Sequence, residues 1–129
     1  MASQNTLLRV ETLILIGVGG FVGANARYFI TLFYPGLTGT FIANMTGSFL
    51  LGFIVYEATY TNLLSKKGRL VISTGFLSSY TTYSTFALET IEATPILGLA
   101  NVGASYTLGF AGVIAGRQVA RQLRGETDD

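Results

Sequence analysis

Residues 74–86 read TGFLSSYTTYSTF, and positions 78–85 hold Ser78, Ser79, Thr81, Thr82, Ser84 and Thr85 beside Tyr80 and Tyr83. Hydroxyls at this density can donate and accept hydrogen bonds without carrying charge, which suits an ion or ordered water. The same residues make a poor helix, because their side chains compete with the backbone for hydrogen bonds and the threonines lose rotamer freedom. If the stretch lies in a membrane, the freed backbone groups cannot face lipid and must meet protein, water or an ion. It therefore predicts a broken membrane helix that lines an ion site.

Two further stripes carry polar groups at helical spacing. Thr40, Asn44, Ser48 and Gly52 recur every four residues and stack on one helix face, opposite Phe41, Ile42, Phe49, Leu50 and Phe53. Asn44 matters most, since its amide has two N–H groups to offer an anion. Such a stripe is either interhelical glue or a track lining a pore. Asn101, Ser105, Gly109, Gly112 and Gly116 form the second small and polar stripe, with Tyr106 and Thr107 beside it. Arg27, in GANARYF, either snorkels to headgroups or faces an aqueous vestibule where it attracts an anion.

Other chemistries are excluded or disfavoured by what the chain lacks. Without cysteine there is no disulfide and no thiolate nucleophile, and without histidine as well there is no zinc site and no His-based catalysis. Glu89 and Glu92 stand at i, i+3 like an acid/base pair, but at a helix end with no cleft implied, so they read as solvated or vestibular groups. No enzyme is expected. The net charge of +1 is too small and too dispersed for a nucleic-acid partner.

The elements that must position these groups are membrane spans. Of 129 residues, 50% are hydrophobic and 12% charged, and mean hydropathy is +0.51. The charges cluster, leaving four apolar stretches of roughly 20 residues, at about 13–33, 40–58, 70–91 and 96–119. The whole chain reads as one four-helix transmembrane domain, without a cleavable signal peptide at its polar N-terminus. In the first span Gly19 and Gly23 are in G-x-x-x-G register, which reads as a helix-packing face. Pro35-Gly36 and Thr94-Pro95 mark turns, and 62–69 is a short polar loop.

Four spans place both termini and the 62–69 loop on one side. That side holds Arg9, Lys66, Lys67, Arg69, Arg117, Arg121 and Arg124, while only Arg27 lies toward the other. Seven against one predicts that both termini are cytoplasmic.

Three motifs then carry a resemblance: GGFVGANARY, GTFIANMTGSFLLG and TGFLSSYTTYSTFALE, in this order over nearly the whole chain. Together they resemble the Fluc (CrcB) fluoride channels. The resemblance implies an all-α membrane protein of four transmembrane helices, the third broken at mid-membrane, that assembles as an antiparallel dimer with pores at the dimer interface. It implies passive export of fluoride across the plasma membrane, relieving fluoride toxicity. By position, the carbonyls of Ser78 and Thr81 would hold a structural sodium ion. Tyr83 and Phe86 match the pore aromatics, Asn44 the pore asparagine and Arg27 the vestibule arginine. Thr82, Ser84, Asn101 and Ser105, with Thr40 and Ser48 of the second-span stripe, are further pore groups.

The residue types suit that ion. Fluoride holds its water tightly, so a site must replace hydration with donors, and aromatic rings can meet it only by their positive edges. No Asp or Glu stands in the middle of a span, which favours an anion path. The chain has Ser78-Ser79-Tyr80 where the family usually has Gly-Gly-Leu, and Tyr83 where it has Phe. Tyr83 keeps a ring edge and adds a hydroxyl, so conduction is expected to survive. The charge bias favours one insertion direction, so the antiparallel second subunit is either another copy or an oppositely oriented homologue. Two other readings stand beside this one: a small four-helix multidrug exporter, which would need a carboxylate that the first span lacks, and a membrane assembly subunit without transport of its own.

Overall fold

The computed structural model describes residues 2–128, with side chains described for 2–125. All regular structure among them is helical. The order is α1 (Ala2–Phe33), α2 (Leu37–Tyr56), a π-helical turn (Glu57–Thr61), α3 (Lys66–Leu70), a π-helical segment (Val71–Leu77), α4 (Ser78–Tyr80), α5 (Ser84–Glu92) and α6 (Pro95–Asp128). Ala2–Phe33, Leu37–Thr61 and Pro95–Gly125 are each long and apolar enough to cross a membrane.

The turns follow from local chemistry. After α1 the chain reverses at Pro35-Gly36, where Gly36 takes a positive φ of 73° that a side chain would resist. α6 opens on Pro95, whose missing N–H is one of the donors a first turn leaves unpaired anyway. The 62–69 stretch is less of a loop than its polarity suggests. Ser65 caps α3 by accepting from the Gly68 N–H at 3.0 Å, so helix starts at Lys66. Glu57, 5% exposed, ties the same corner: it accepts from the Leu64 N–H at 2.7 Å and from Arg69 Nε at 3.2 Å.

Packing is interleaved. α1 lies along the Val71–Leu77 segment and α4, whereas α2 lies along α6. Both seams depend on glycine. A Cβ on Gly19 would stand 2.6 Å from the Val71 carbonyl oxygen, and one on Gly23 would overlap the Phe76 carbonyl. On the other seam, Cβ atoms at Gly52 and Gly116 would overlap the Val113 and Phe49 carbonyls. The G-x-x-x-G pair and the lower part of the α6 stripe are thus helix-packing faces.

A small core of Ala43, Leu77 and Tyr80 joins the two pairs, with Ala26, Ile30 and Phe76 around it. Phe76 stacks on Tyr80, whose hydroxyl lies 2.6 Å from that of Thr46. Beyond this core, large apolar side chains on α1 and α6 face outward, Phe21, Leu99 and Phe110 among them. That is the pattern of helices solvated by lipid or by another subunit rather than by water.

Candidate functional site

The helical run that begins at Lys66 stops after Tyr80. Its last backbone bond is Thr81 N–H to the Leu77 carbonyl at 3.0 Å, and Thr81 itself is extended (φ −86°, ψ 160°). Helix resumes at Ser84, and the Thr82 hydroxyl caps it by accepting from the Thr85 N–H at 3.2 Å. Between the two pieces, residues 81–83 expose peptide groups that regular helix would have consumed.

Side chains from α1 and α2 take up those groups. Asn44 binds the backbone of Thr82 at both ends: its Oδ1 accepts from the N–H at 2.9 Å, and its Nδ2 donates to the carbonyl at 3.0 Å. One amide N–H of Asn44 is left over. Arg27 Nη1 donates to the Thr81 carbonyl at 3.2 Å. Gly47, one turn beyond Ala43 on α2, makes room for the Thr81 methyl, which a Cβ there would overlap.

Most of the residues singled out in the sequence line one groove of about 510 Å³ between the break, α2 and α6. Asn44, Ser48, Ser78, Thr81, Thr82, Tyr83, Phe86 and Ser105 all contribute to its wall. Phe86 is buried, with the Tyr83 ring 5.8 Å and the Tyr106 ring 6.4 Å away, the latter edge-on. Tyr83 is 72% exposed on the open side. Ser48 gives its hydrogen to the Asn44 carbonyl at 2.8 Å, and Ser78 turns its hydroxyl back onto the Thr74 carbonyl.

Four of the expected residues stand outside that wall. Thr40 is buried and donates to Glu89 Oε1 at 3.1 Å. Asn101 donates to the Thr90 hydroxyl at 2.9 Å and accepts from Ser105 at 3.4 Å. The exposed Ser84 hydroxyl lies 3.4 Å from that of Thr82. Arg27 approaches the break from α1 rather than opening onto the groove.

Of the two readings of Glu89, solvated or vestibular, the structure departs from the first. Its second oxygen, Oε2, is buried and without a hydrogen-bond partner among the described residues. Sequence reasoning gave no role to Thr90 or the Tyr106 ring. Tyr106 adjoins Ser105 in the α6 stripe, which was the available signal; nothing local pairs Glu89 with Thr40.

A multi-pass, all-helical membrane protein with an interrupted, donor-lined segment beside an open groove is thus defined by fold and site. Residues 14–117 match the family model described as CrcB-like protein, Camphor Resistance (CrcB). The chain is 54% identical over 125 residues to a protein of Haloarcula marismortui named fluoride-specific ion channel FluC 1, covering 97% of this chain and 98% of that one. It is 45% identical over 116 residues to a protein of that name from Natronomonas pharaonis, covering 88% and 98%. A fluoride-specific ion channel FluC 2 of Halobacterium salinarum is 46% identical over 113 residues, covering 87% and 88%. The chain belongs to the CrcB family.

Proposed function

We propose that this chain is a fluoride-selective passive channel that lets fluoride leave the cytoplasm and so relieves its toxicity. The observation that carries this is similarity over nearly the full length to proteins named fluoride-specific ion channels. The groove's chemistry supports it. The spare N–H of Asn44 and the hydroxyl of Tyr83 are donors able to replace the water a small anion must shed. Phe86 and Tyr83 can add ring edges. No carboxylate lines the groove to repel an anion, and larger halides are expected to fail on size.

The conducting unit is an antiparallel dimer. In one chain the groove is not enclosed, and Tyr83 on its wall is exposed. A second subunit in the opposite orientation would close the groove into a pore and pair the two breaks. Residues 66–92 then act as a fourth span, crossing as two short helices joined at 81–83. Both termini lie in the cytoplasm, with the seven basic residues. That bias favours a partner from another gene, and relatives that carry the names FluC 1 and FluC 2 within this family agree with paired subunits.

Fluoride efflux from liposomes holding the purified chain, with chloride efflux as control, tests the reading. Rapid release of fluoride alone is expected, from this chain or once the oppositely oriented homologue is added. No fluoride release under either condition would refute it.

A further inference from the structure

Arg27 sits where spacing on α1 delivers it. Gly19, Gly23 and Arg27 recur every four residues on one face. The two glycines bring the α1 backbone against the carbonyls of Val71 and Phe76, and the next position on that face meets the end of the same helical run. There Arg27 reaches the Thr81 carbonyl. That carbonyl has lost its helical donor, because the Thr85 N–H four residues on is given to the Thr82 hydroxyl. The Ser78 carbonyl has lost its own in the same way, since the Thr82 N–H goes to Asn44. Carbonyls at the C-terminal end of a helix carry partial negative charge and favour a cation. Among the described residues Arg27 belongs to no ion pair, so its charge is directed at the backbone.

Family resemblance assigns these same two carbonyls, Ser78 and Thr81, to sodium. The two assignments conflict on the Thr81 oxygen. A sodium ion bound there would share its carbonyl with a guanidinium that no carboxylate pairs among the described residues. Serine at position 78 adds a side chain tied back to the Thr74 carbonyl, where the family's usual glycine has none.

We propose that the guanidinium of Arg27 is the cation that holds the helix break in this chain, so that folding and fluoride conduction need no sodium. The inference rests on the channel reading for its transport half only; its stability half is independent of what the protein conducts.

The test is a thermal melt of the assembled protein, with parallel fluoride efflux, in sodium chloride and in N-methyl-glucamine chloride. The native protein is expected to melt at the same temperature and to release fluoride at the same rate in both. Arg27→Gln is expected to melt several degrees lower in N-methyl-glucamine and to recover when sodium is added, because the freed carbonyl can then take the ion. Arg27→Lys, which keeps the charge, should stay insensitive to sodium. A native melting temperature that rises and saturates with sodium would overturn the proposal. So would Arg27→Gln melting like the native protein without sodium. If Arg27→Gln does not assemble, the sodium titration of the native protein decides alone. Absence of fluoride release in every medium would count against the channel reading and leave the melts to judge Arg27.

Discussion

Asn44 and Thr82, 38 positions apart, form a closed pair of hydrogen bonds in which one side-chain amide satisfies both halves of one residue's backbone. The pair fixes where the helical run ends relative to α2. It also aims the one remaining amide proton of Asn44. Asn44→Asp removes both amide donors, puts two acceptors at the break and leaves the Thr82 carbonyl unpaired. Fluoride efflux is expected to fall at least tenfold, and stability by about 1–3 kcal/mol for the stranded backbone group. Flux and melting measurements on the same preparation check both.

The glycine seams give a contrast within one helix. Gly23→Ala would drive a methyl into the Phe76 carbonyl, whereas Gly17→Ala meets nothing within 4 Å. The first is expected to cost about 1–3 kcal/mol as overpacking. The second should be neutral or slightly stabilising, since alanine is the better helix former by about 1 kcal/mol. Thermal midpoints of the two variants in the same detergent decide it, and equal losses would refute the seam.

At the aromatic pair, buried Phe86 and exposed Tyr83 should separate by substitution. Phe86→Ile removes the ring edge and the contact with Tyr106, and efflux is expected to drop by about tenfold or more, equivalent to about 1.4 kcal/mol. Tyr83→Phe keeps the ring and should retain most of the flux. A large loss in Tyr83→Phe would instead make its hydroxyl a required donor.

Topology can be read directly. Reporter fusions at the two ends should both report cytoplasm, in a single population. Moving positive charge from the 62–69 loop to the 34–37 turn is expected to produce mixed orientations. Equal populations in the native chain would remove the argument for a separate, oppositely oriented partner.

Much of this was legible in residue types. Hydrophobic length gave the long helices, Pro35-Gly36 and Thr94-Pro95 gave the turns, and Gly19 and Gly23 gave a packing face. The density of hydroxyls at 78–85 signalled poor helix, and the helix stops within it. The cross-chain pairs were not legible. Position on α1 left Arg27 open between headgroup and vestibule, because its acceptor lies 54 residues away on a helix that approaches only through glycine contacts. Thr40 read as part of a track with Asn44 and Ser48, since periodicity records which face a residue is on and not which neighbour claims its proton. Its bond to Glu89 depends on where α5 starts after the break. The π-helical geometry of Val71–Leu77 has no local signature that we can name.

The interleaved packing bears on how the chain is made. α1 finds its main neighbour only in residues 71–80, and α2 finds its own only in α6. During synthesis the first two helices therefore enter the membrane before either has its main partner. Neither seam can close as a hairpin between consecutive helices, and α2 lacks its main neighbour until the final helix has left the ribosome. Biogenesis is thus committed to the complete chain: a product truncated after α5 would leave the Gly52 face bare to lipid. Such a product should be recognised by membrane quality control rather than persist as a half-channel.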